Sequence, residues 1–329
     1  MRIALALVLF GLGGPWVAAQ PALSKLERIF LYDQEYVRVS DWAKANQFQM
    51  VWPANTKDIQ LTSPAARIKL TLDSRRAELN GIGVWLSMPI AVRQRAALIG
   101  VLDLQTALHP ILFPAKAPKG QRIAKICLDP GHGGRDPGNQ MGAQHEKRYT
   151  LLLAKEVKTL LLKQNLAVAL TRNTDEFVEL ANRPEIAARS RSDIFVSLHF
   201  NAAGPSAQGV RGVEVYSLTP SGATSTNARG ESGSTRPFPG NKLDRRNVLL
   251  AFQMQKTLVR ELGMEDRGLR RARFAVLRTV GVPAVLIEGG FLSDAAEARR
   301  INDPVQRRKL AQAIVNAILA YKRIVERPT

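Results

Sequence analysis

Two spacings of apolar residues divide the chain near residue 120. From 123 onward, short apolar runs alternate with stretches in which apolar residues recur every three or four positions, which predicts alternating strands and helices. The predicted strands cover 123–128, 166–171, 194–198, 212–218 and 283–287, and the predicted helices cover 149–163, 179–191, 249–262 and 305–325. This order is typical of an α/β fold, a mostly parallel twisted sheet flanked by helices.

Before residue 114, apolar and polar residues alternate. Ile59 and Leu61, for example, have the two-residue spacing of a half-buried strand. The Asn80-Gly81 pair lies between two strand-like segments and predicts a hairpin. The predicted organisation is a signal peptide over 1–19, a small β-rich accessory domain over 20–113, a Pro- and Lys-rich linker over 114–122 and the α/β domain over 123–329.

The first residues have the composition of a secretory signal peptide. Arg2 precedes an apolar run over 3–12, and small residues then lead to Ala19, after which we expect cleavage. An apolar run of about 10 residues is shorter than the roughly 20 that cross a bilayer, so we expect no stable membrane span after cleavage. The sequence therefore predicts an exported protein of the periplasm, the cell envelope or the medium.

Charge and cysteine content narrow the partners. The chain has 47 Lys and Arg against 28 Asp and Glu, a net charge of +19, which suits nucleic acid, anionic glycopolymers or membrane surfaces. Export argues against nucleic acid. Cys127 is the only cysteine, so no disulfide forms within the chain, and its apolar neighbours predict a core residue and not a nucleophile.

Histidines and acidic residues lie where predicted strands end. One strand runs into Asp129 and the glycine-flanked His132, the next but one into His199, and a later one into Glu288. Because open α/β sheets bind ligands beyond the carboxyl ends of their strands, we expect these side chains to share one site. Glu146, at the start of a predicted helix, adds a second carboxylate. Two imidazoles with carboxylates predict a zinc site.

Catalytic zinc usually has three protein ligands and one open position, which His132, Glu146 and His199 satisfy. Zinc lowers the pKa of bound water to about 7 and polarises a carbonyl oxygen, so the expected reaction is hydrolysis of an amide. A general base is also needed, and Glu288 is the candidate.

The residues alone leave other roles open. Glu288 could be the ligand and Glu146 the base, and His145 could replace Glu146 as a ligand. Asp129 and Asp136 could also bind the metal, although we expect Asp129 to orient His132 or its loop.

A series of motifs resembles one family of hydrolases. In chain order they are Leu128-Asp129-Pro130-Gly131-His132-Gly133-Gly134, Glu146-Lys147, Thr171-Arg172 with Asp175, Leu180 with Arg183, Ser197-Leu198-His199 with Asn201-Ala202, Asp266-Arg267-Gly268 and Ile287-Glu288-Gly289-Gly290-Phe291-Leu292-Ser293. Together they cover about 200 residues and resemble the zinc-dependent N-acetylmuramoyl-L-alanine amidases of the type 3 amidase family.

The resemblance implies hydrolysis of the amide between the lactyl group of N-acetylmuramic acid and L-alanine of peptidoglycan, in wall remodelling or daughter-cell separation. It also implies that His132, Glu146 and His199 bind zinc and that Glu288 is the catalytic carboxylate. Two alternatives stay open: a metallopeptidase that cuts within the stem peptide, and a catalytically silent wall-binding protein.

Other features bear on regulation and substrate binding. Some relatives carry an apolar inhibitory helix in the insertion that corresponds to 219–247; this segment is rich in Ser, Gly and Thr, so we expect no obligatory activator protein. Arg270 and Arg271 are candidates to bind stem-peptide carboxylates, and Asn201 is a further candidate near the substrate.

The domain over 20–113 shows a weaker resemblance to the copper amine oxidase N-terminal-like domain of secreted bacterial proteins. The matching segments are Tyr36-Val37, Asp41-Trp42-Ala43, Asn80-Gly81, Leu86-Ser87 and Pro110-Ile111-Leu112. Ligands for copper are lacking, so we expect an accessory role in positioning or attachment.

Overall fold

The structure is a computed structural model that describes residues 23–31, 33–118, 120–142, 144–204, 209–227 and 236–327. The predicted signal peptide over 1–19 lies outside these residues. Within the described ranges, every helix is too short or too polar to cross a membrane.

The amino-terminal part is rich in short strands, as predicted. It contains a 3-10 turn (Leu23–Lys25), β1 (Ile29–Leu31), β2 (Gln34–Arg38), α1 (Val39–Ala45), β3 (Gln49–Val51), β4 (Asp58–Thr62), β5 (Arg67–Thr71), β6 (Arg76–Leu79), β7 (Ile82–Trp85), β8 (Ala91–Arg93), β9 (Ala96–Gly100), α2 (Val101–Asp103), a π-helical turn (Leu104–Leu108) and α3 (His109–Leu112). Asn80 and Gly81 connect β6 to β7 with φ of 52° and 78°, the left-handed angles that a tight hairpin turn uses.

Strands and helices alternate after residue 124. The elements are β10 (Lys125–Pro130), β11 (Gln140–Met141), β12 (Gln144–His145), α4 (Glu146–Lys163), β13 (Ala167–Leu170), α5 (Asn182–Arg189), β14 (Ile194–Asn201), β15 (Val213–Leu218), a 3-10 helix (Pro239–Leu243), α6 (Asp244–Leu262), β16 (Asp266–Ala272), α7 (Ala275–Arg278), β17 (Ala284–Phe291), α8 (Ala295–Asn302) and α9 (Pro304–Val325). The predicted elements are present, and the additions are β11, β12, β16, α7, α8 and the 3-10 helix.

The central sheet has the order β13-β10-β14-β17-β15-β16 in this part of the chain. Its neighbours pair in parallel except β15 and β17, which are antiparallel. The predicted mostly parallel α/β sheet is therefore confirmed, with one antiparallel pair. Because β15 runs opposite to β17, the beginnings of β15 and β16 lie at the same edge as the carboxyl ends of β10, β14 and β17.

The sheet continues into the amino-terminal part. Strand β16 pairs in parallel with β7, with Leu269 opposite Val84, and β6, β5, β4 and β3 follow as antiparallel neighbours. A second antiparallel sheet has the order β1-β2-β9-β8. One sheet thus spans both predicted domains, and it places β7 two strands from β15.

Successive residues of the central strands face opposite sides, and each side has its own core. Helices α4, α6 and α9 cover one side, where Val157 and Ile314 are buried. Helices α5 and α7 cover the other, where Leu277 packs with Phe195 and Cys127. Burial raises the pKa of the Cys127 thiol to about 12, which agrees with the predicted core role.

Candidate metal centre

His132 lies in the loop that leaves the carboxyl end of β10. Its φ of 61° is left-handed, and its imidazole is about one-fifth exposed. The preceding residue must be small, because a Cβ on Gly131 would lie 2.2 Å from Cε1 of His199. The loop therefore brings its backbone against one imidazole while it presents the other.

Glu146 is the first residue of α4 and lies between the two histidines. Its Oε2 is 3.0 Å from Nε2 of His132, and its Oε1 is 2.9 Å from Nδ1 of His199. The backbone N–H groups of Asn139 and Phe200 also donate to this buried carboxylate, at 2.9 and 3.0 Å. Each oxygen is thus held by one backbone donor and faces one imidazole.

Asp136 fixes the other nitrogen of His132. Its Oδ2 is 2.8 Å from Nδ1 of His132, while its Oδ1 accepts from the backbone N–H of Gly138. Burial opposes the charged form of His132, but its contacts with Glu146 and Asp136 outweigh burial and raise its pKa. At Glu146, contacts with the imidazoles of His132 and His199 outweigh the effect of burial and hold the pKa of this carboxyl group well below its usual range.

Three ligand atoms converge at this point. One nitrogen from each of His132 and His199 and one oxygen of Glu146 all lie within 4.8 Å of one another, the one such set among the described residues. Bonds of about 2.0–2.2 Å to a tetrahedral zinc ion place its ligands roughly 3.3–3.5 Å apart, and the separations here, at most 4.8 Å, are of the same order. Metal-bound histidines usually have a carboxylate on their second nitrogen, as Asp136 provides for His132. The residues therefore fit a zinc ion.

Glu288 belongs to the same edge of the sheet. It lies in register with His199 on the neighbouring strand, and its Oε2 is buried without a hydrogen-bond partner among the described residues. Burial, followed by the charges of Glu146 and Glu214, raises the pKa of Glu288 well above its ordinary value. A carboxyl group with an unsatisfied oxygen and an elevated pKa is suited to proton transfer.

Glu214 is a site residue that the sequence analysis missed. It lies opposite Glu288 on β15 and is buried. Its oxygens accept from Nε of Arg267 at 2.6 Å and from the Tyr216 hydroxyl at 2.7 Å. The signal in the sequence is an acid between Val213 and Val215, where an apolar strand would otherwise continue.

The secondary candidates Asn201, Arg270 and Asp129 contact different parts of the site. Asn201 donates to Glu214, and Arg270 is 3.4 Å from the same carboxylate. Asp129 is fully buried and accepts from Ser197 and Arg183. Through Arg183, which also donates to the carbonyl of His132, Asp129 supports the backbone of the loop, whereas Asp136 orients the ring.

Arg271 requires a correction. We expected it beside the substrate, but its guanidinium is buried and donates to the Ser217 hydroxyl and to the Thr106 carbonyl of the π-helical turn. Successive residues of a strand face opposite sides, so Arg271 cannot share the side of Arg270. It links the central sheet to the amino-terminal part.

Comparison with known proteins identifies relatives of this part of the chain. Residues 126–320 match the Amidase_3 family model, described as N-acetylmuramoyl-L-alanine amidase. N-acetylmuramoyl-L-alanine amidase AmiC of Neisseria meningitidis is 34% identical over 235 residues, 63% of this chain and 55% of the relative. N-acetylmuramoyl-L-alanine amidase LytC of Bacillus subtilis is 32% identical over 198 residues, 60% of this chain and 35% of the relative.

A solved structure shows the same fold. The catalytic domain of CwlV, an N-acetylmuramoyl-L-alanine amidase from Bacillus (Paenibacillus) polymyxa var. colistinus, superposes with a TM-score of 0.51 at 29% identity and covers 62% of this chain and 99% of its own. The chain spans about half or less of the length of the two curated relatives. The family model begins at residue 126, so the amino-terminal strands lie outside it.

Proposed function

Because the chain belongs to the Amidase_3 family, we propose that it hydrolyses the amide between the lactyl group of N-acetylmuramic acid and L-alanine of the peptidoglycan stem peptide. The observation that carries this proposal is the convergence of His132, Glu146 and His199 beside a partly buried Glu288. The expected biological role is wall remodelling or daughter-cell separation.

His132, Glu146 and His199 hold the zinc ion in this proposal. When bound, zinc supplies a Lewis acid for the amide carbonyl and increases the acidity of a water molecule. Asp136 keeps the proton of His132 on Nδ1, which leaves Nε2 free to bind metal. The backbone donors from Asn139 and Phe200 hold the Glu146 carboxylate in place.

Glu288 is the proton carrier. The unpartnered Oε2 accepts a proton from the attacking water and returns it to the departing nitrogen of L-alanine. Burial, followed by the charges of Glu146 and Glu214, raises the pKa of Glu288, which favours the first transfer.

Export and independence from an activator belong to the same proposal. The apolar run over 3–12 supports secretion. In the described parts of the 219–247 segment, the backbone N–H of Thr226 donates to the carbonyl of Arg271 on β16, and the carbonyl of Thr224 accepts from Arg75 of the amino-terminal part. Hydrolysis that begins only after a second envelope protein is added would contradict independence.

Mass spectrometry of digested peptidoglycan tests the reaction. We expect the protein to release intact peptides that begin at L-alanine and to leave free glycan strands. Glu288→Gln should lower the rate about 10²- to 10⁴-fold, the usual contribution of a general base, whereas Glu265→Gln, at an exposed ion pair with Arg211, should not. Peptides cut internally would favour the metallopeptidase. Absence of any product from the wild type would favour the silent wall-binding protein.

A further inference from the structure

Strand β7 of the amino-terminal part pairs with β16, and β15, which carries Glu214, pairs with the other edge of β16. The backbone N–H of Gly83 donates to Oδ2 of Asp266 at 2.6 Å, and the indole N–H of Trp85 donates to the carbonyl of Arg267 at 2.9 Å. These bonds fix the indole next to Arg267 and Arg270 of β16.

Aromatic rings orient both guanidinium groups. The Cζ of Arg270 lies 4.8 Å from the ring centroid of Trp85, and the Cζ of Arg267 lies 5.1 Å from that of Phe291. At these distances a guanidinium is attracted to the ring and held parallel or inclined to it. Trp85, from outside the family-matched part of the chain, therefore packs its ring against the guanidinium of Arg270.

Glu214 binds the two arginines through one nitrogen each. The Nε atoms of Arg267 and Arg270 are 2.6 and 3.4 Å from its Oε1. Within the described ranges, no hydrogen bond or ion pair reaches the terminal Nη atoms of either arginine. The side chains are 25% and 14% exposed, so a ligand can reach them.

We propose that Arg267 and Arg270 bind a free carboxylate of the stem peptide and that Trp85 is the positioning residue for Arg270. A guanidinium whose Nε is already bound presents its Nη donors as a planar pair that matches the two oxygens of a carboxylate. Glu214 lies opposite Glu288, so the two guanidinium groups that contact Glu214 lie beside the proposed catalytic carboxylate, within reach of a substrate bound there. The amino-terminal β-rich part thus completes the substrate site.

This proposal rests on the proposed amidase function, and paired substrates separate the two. The substrates are N-acetylmuramoyl-L-alanyl-D-glutamate with free carboxylates and its fully amidated analogue. If the wild type cleaves neither substrate, the amidase function is rejected. We expect the wild type to cleave both substrates and to prefer the free acid. This preference, the ratio of the two kcat/KM values, is the reference for the variants.

Arg267→Gln and Arg270→Gln should lower kcat/KM for the free acid about tenfold or more, mainly through KM, because a charge-assisted hydrogen bond is lost. The amidated analogue should change by less than about twofold, within the range of ordinary surface substitutions. Arg211→Gln, an exposed arginine near the start of β15, is the control and should leave both values unchanged. Equal losses on both substrates would overturn the carboxylate assignment.

Trp85→Leu tests the positioning role, and Trp85→Phe keeps an aromatic face. The first should reduce the preference for the free acid and the second should retain it. In the Trp85→Leu background, Arg270→Gln should add little further loss, because the two residues act through one contact. Fully additive losses, or a Trp85→Leu protein with wild-type preference, would overturn it. If Trp85→Leu does not fold, Trp85→Ile takes its place, and a wild-type preference for the free acid in Trp85→Ile would overturn the positioning role.

Discussion

Glu288 lies directly opposite His199 on the neighbouring parallel strand. Paired residues of adjacent strands face the same side of a sheet, so the proposed base and one proposed ligand are neighbours because of strand register. A slip of one residue would turn one of them to the other side. Phe195, four residues before His199, and Leu286, two residues before Glu288, pack in the core beneath α5 and α7 and stabilise this register.

Metal removal should lower both activity and stability. A ligand that binds only the folded state, present at 100 times its Kd, stabilises by about 2.7 kcal/mol, which corresponds to about 4 °C in Tm for a chain of 329 residues. We expect chelation to lower Tm by that amount and zinc to restore it, as differential scanning calorimetry would show.

Two histidine variants make the metal experiment specific. His132→Ala should lose the zinc-dependent rise in Tm. His145→Ala should keep it, because His145 is outside the converging set even though it adjoins Glu146 in the sequence. A zinc response that survives in His132→Ala and disappears in His145→Ala would show that the ligand set is different.

Gly138 is expected to tolerate no side chain. A Cβ there would lie 2.6 Å from Cδ2 of His132 and 2.7 Å from Oε2 of Glu146. Gly138→Ala should therefore displace two proposed ligands and weaken zinc binding by more than about tenfold, which isothermal titration calorimetry would measure. Gly142→Ala is a matched control, since Gly142 has a similar φ of 58° and open space around its Cβ position.

Both alanine variants carry the strain of a left-handed backbone, about 1–2 kcal/mol. Only the first should lose the metal. If both lose zinc equally, backbone strain and not contact with His132 is the cause, and the packing argument fails.

Asp136 should determine metal affinity without binding the metal. Asp136→Asn keeps an oxygen for the N–H of Gly138 but removes the charge beside Nδ1 of His132. We expect zinc affinity to fall about 10- to 100-fold, the usual effect of changing the partner of a ligating histidine. Asp175→Asn, which alters the support of Gly134 in the same loop, should change it far less. Equal losses would indicate general loosening of the loop.

The convergence of the proposed ligands and of Glu288 on one edge of the sheet could be predicted, because each of these residues follows an apolar strand or begins a helix. His132, His199 and Glu288 occur at interruptions of apolar runs, and the carboxyl ends of parallel strands converge. The acid within the apolar run of β15 is visible in the sequence, but its place in the site could not be predicted, because β15 is antiparallel to β17 and contributes its beginning to the site. Antiparallel insertion into a parallel sheet has no local signature in the chain.

The join between β16 and β7 was also beyond sequence reasoning. It pairs residues almost 200 positions apart, and its bonds from Gly83 and Trp85 to Asp266 and Arg267 depend on tertiary placement. The same join explains the error about Arg271: charge alone suggested a substrate contact, while the structure uses it to bind Thr106. The division into two domains at 114–122 stays a prediction.

His109 should make stability depend on pH. It is buried, and its Nε2 accepts a hydrogen bond from the indole N–H of Trp42 at 2.8 Å, which requires the neutral ring. Burial, with a smaller effect of Arg245, lowers its pKa from 6.5 to about 4. Between these values the unfolded chain binds more protons than the folded one, so stability is complete above pH 6.5 and falls toward pH 4.

The expected loss between pH 7.5 and pH 5 is about 2 kcal/mol, from 1.36 kcal/mol per pKa unit. Urea unfolding with a chelator present would measure it without a contribution from the metal. His109→Gln keeps an acceptor for Trp42 but cannot titrate, so its loss over the same range should be about 2 kcal/mol smaller than that of the wild type. His145→Gln should keep the wild-type dependence, because the ring that must stay neutral is that of His109. Identical pH profiles for wild type and His109→Gln would mean that the buried imidazole does not contribute to acid sensitivity.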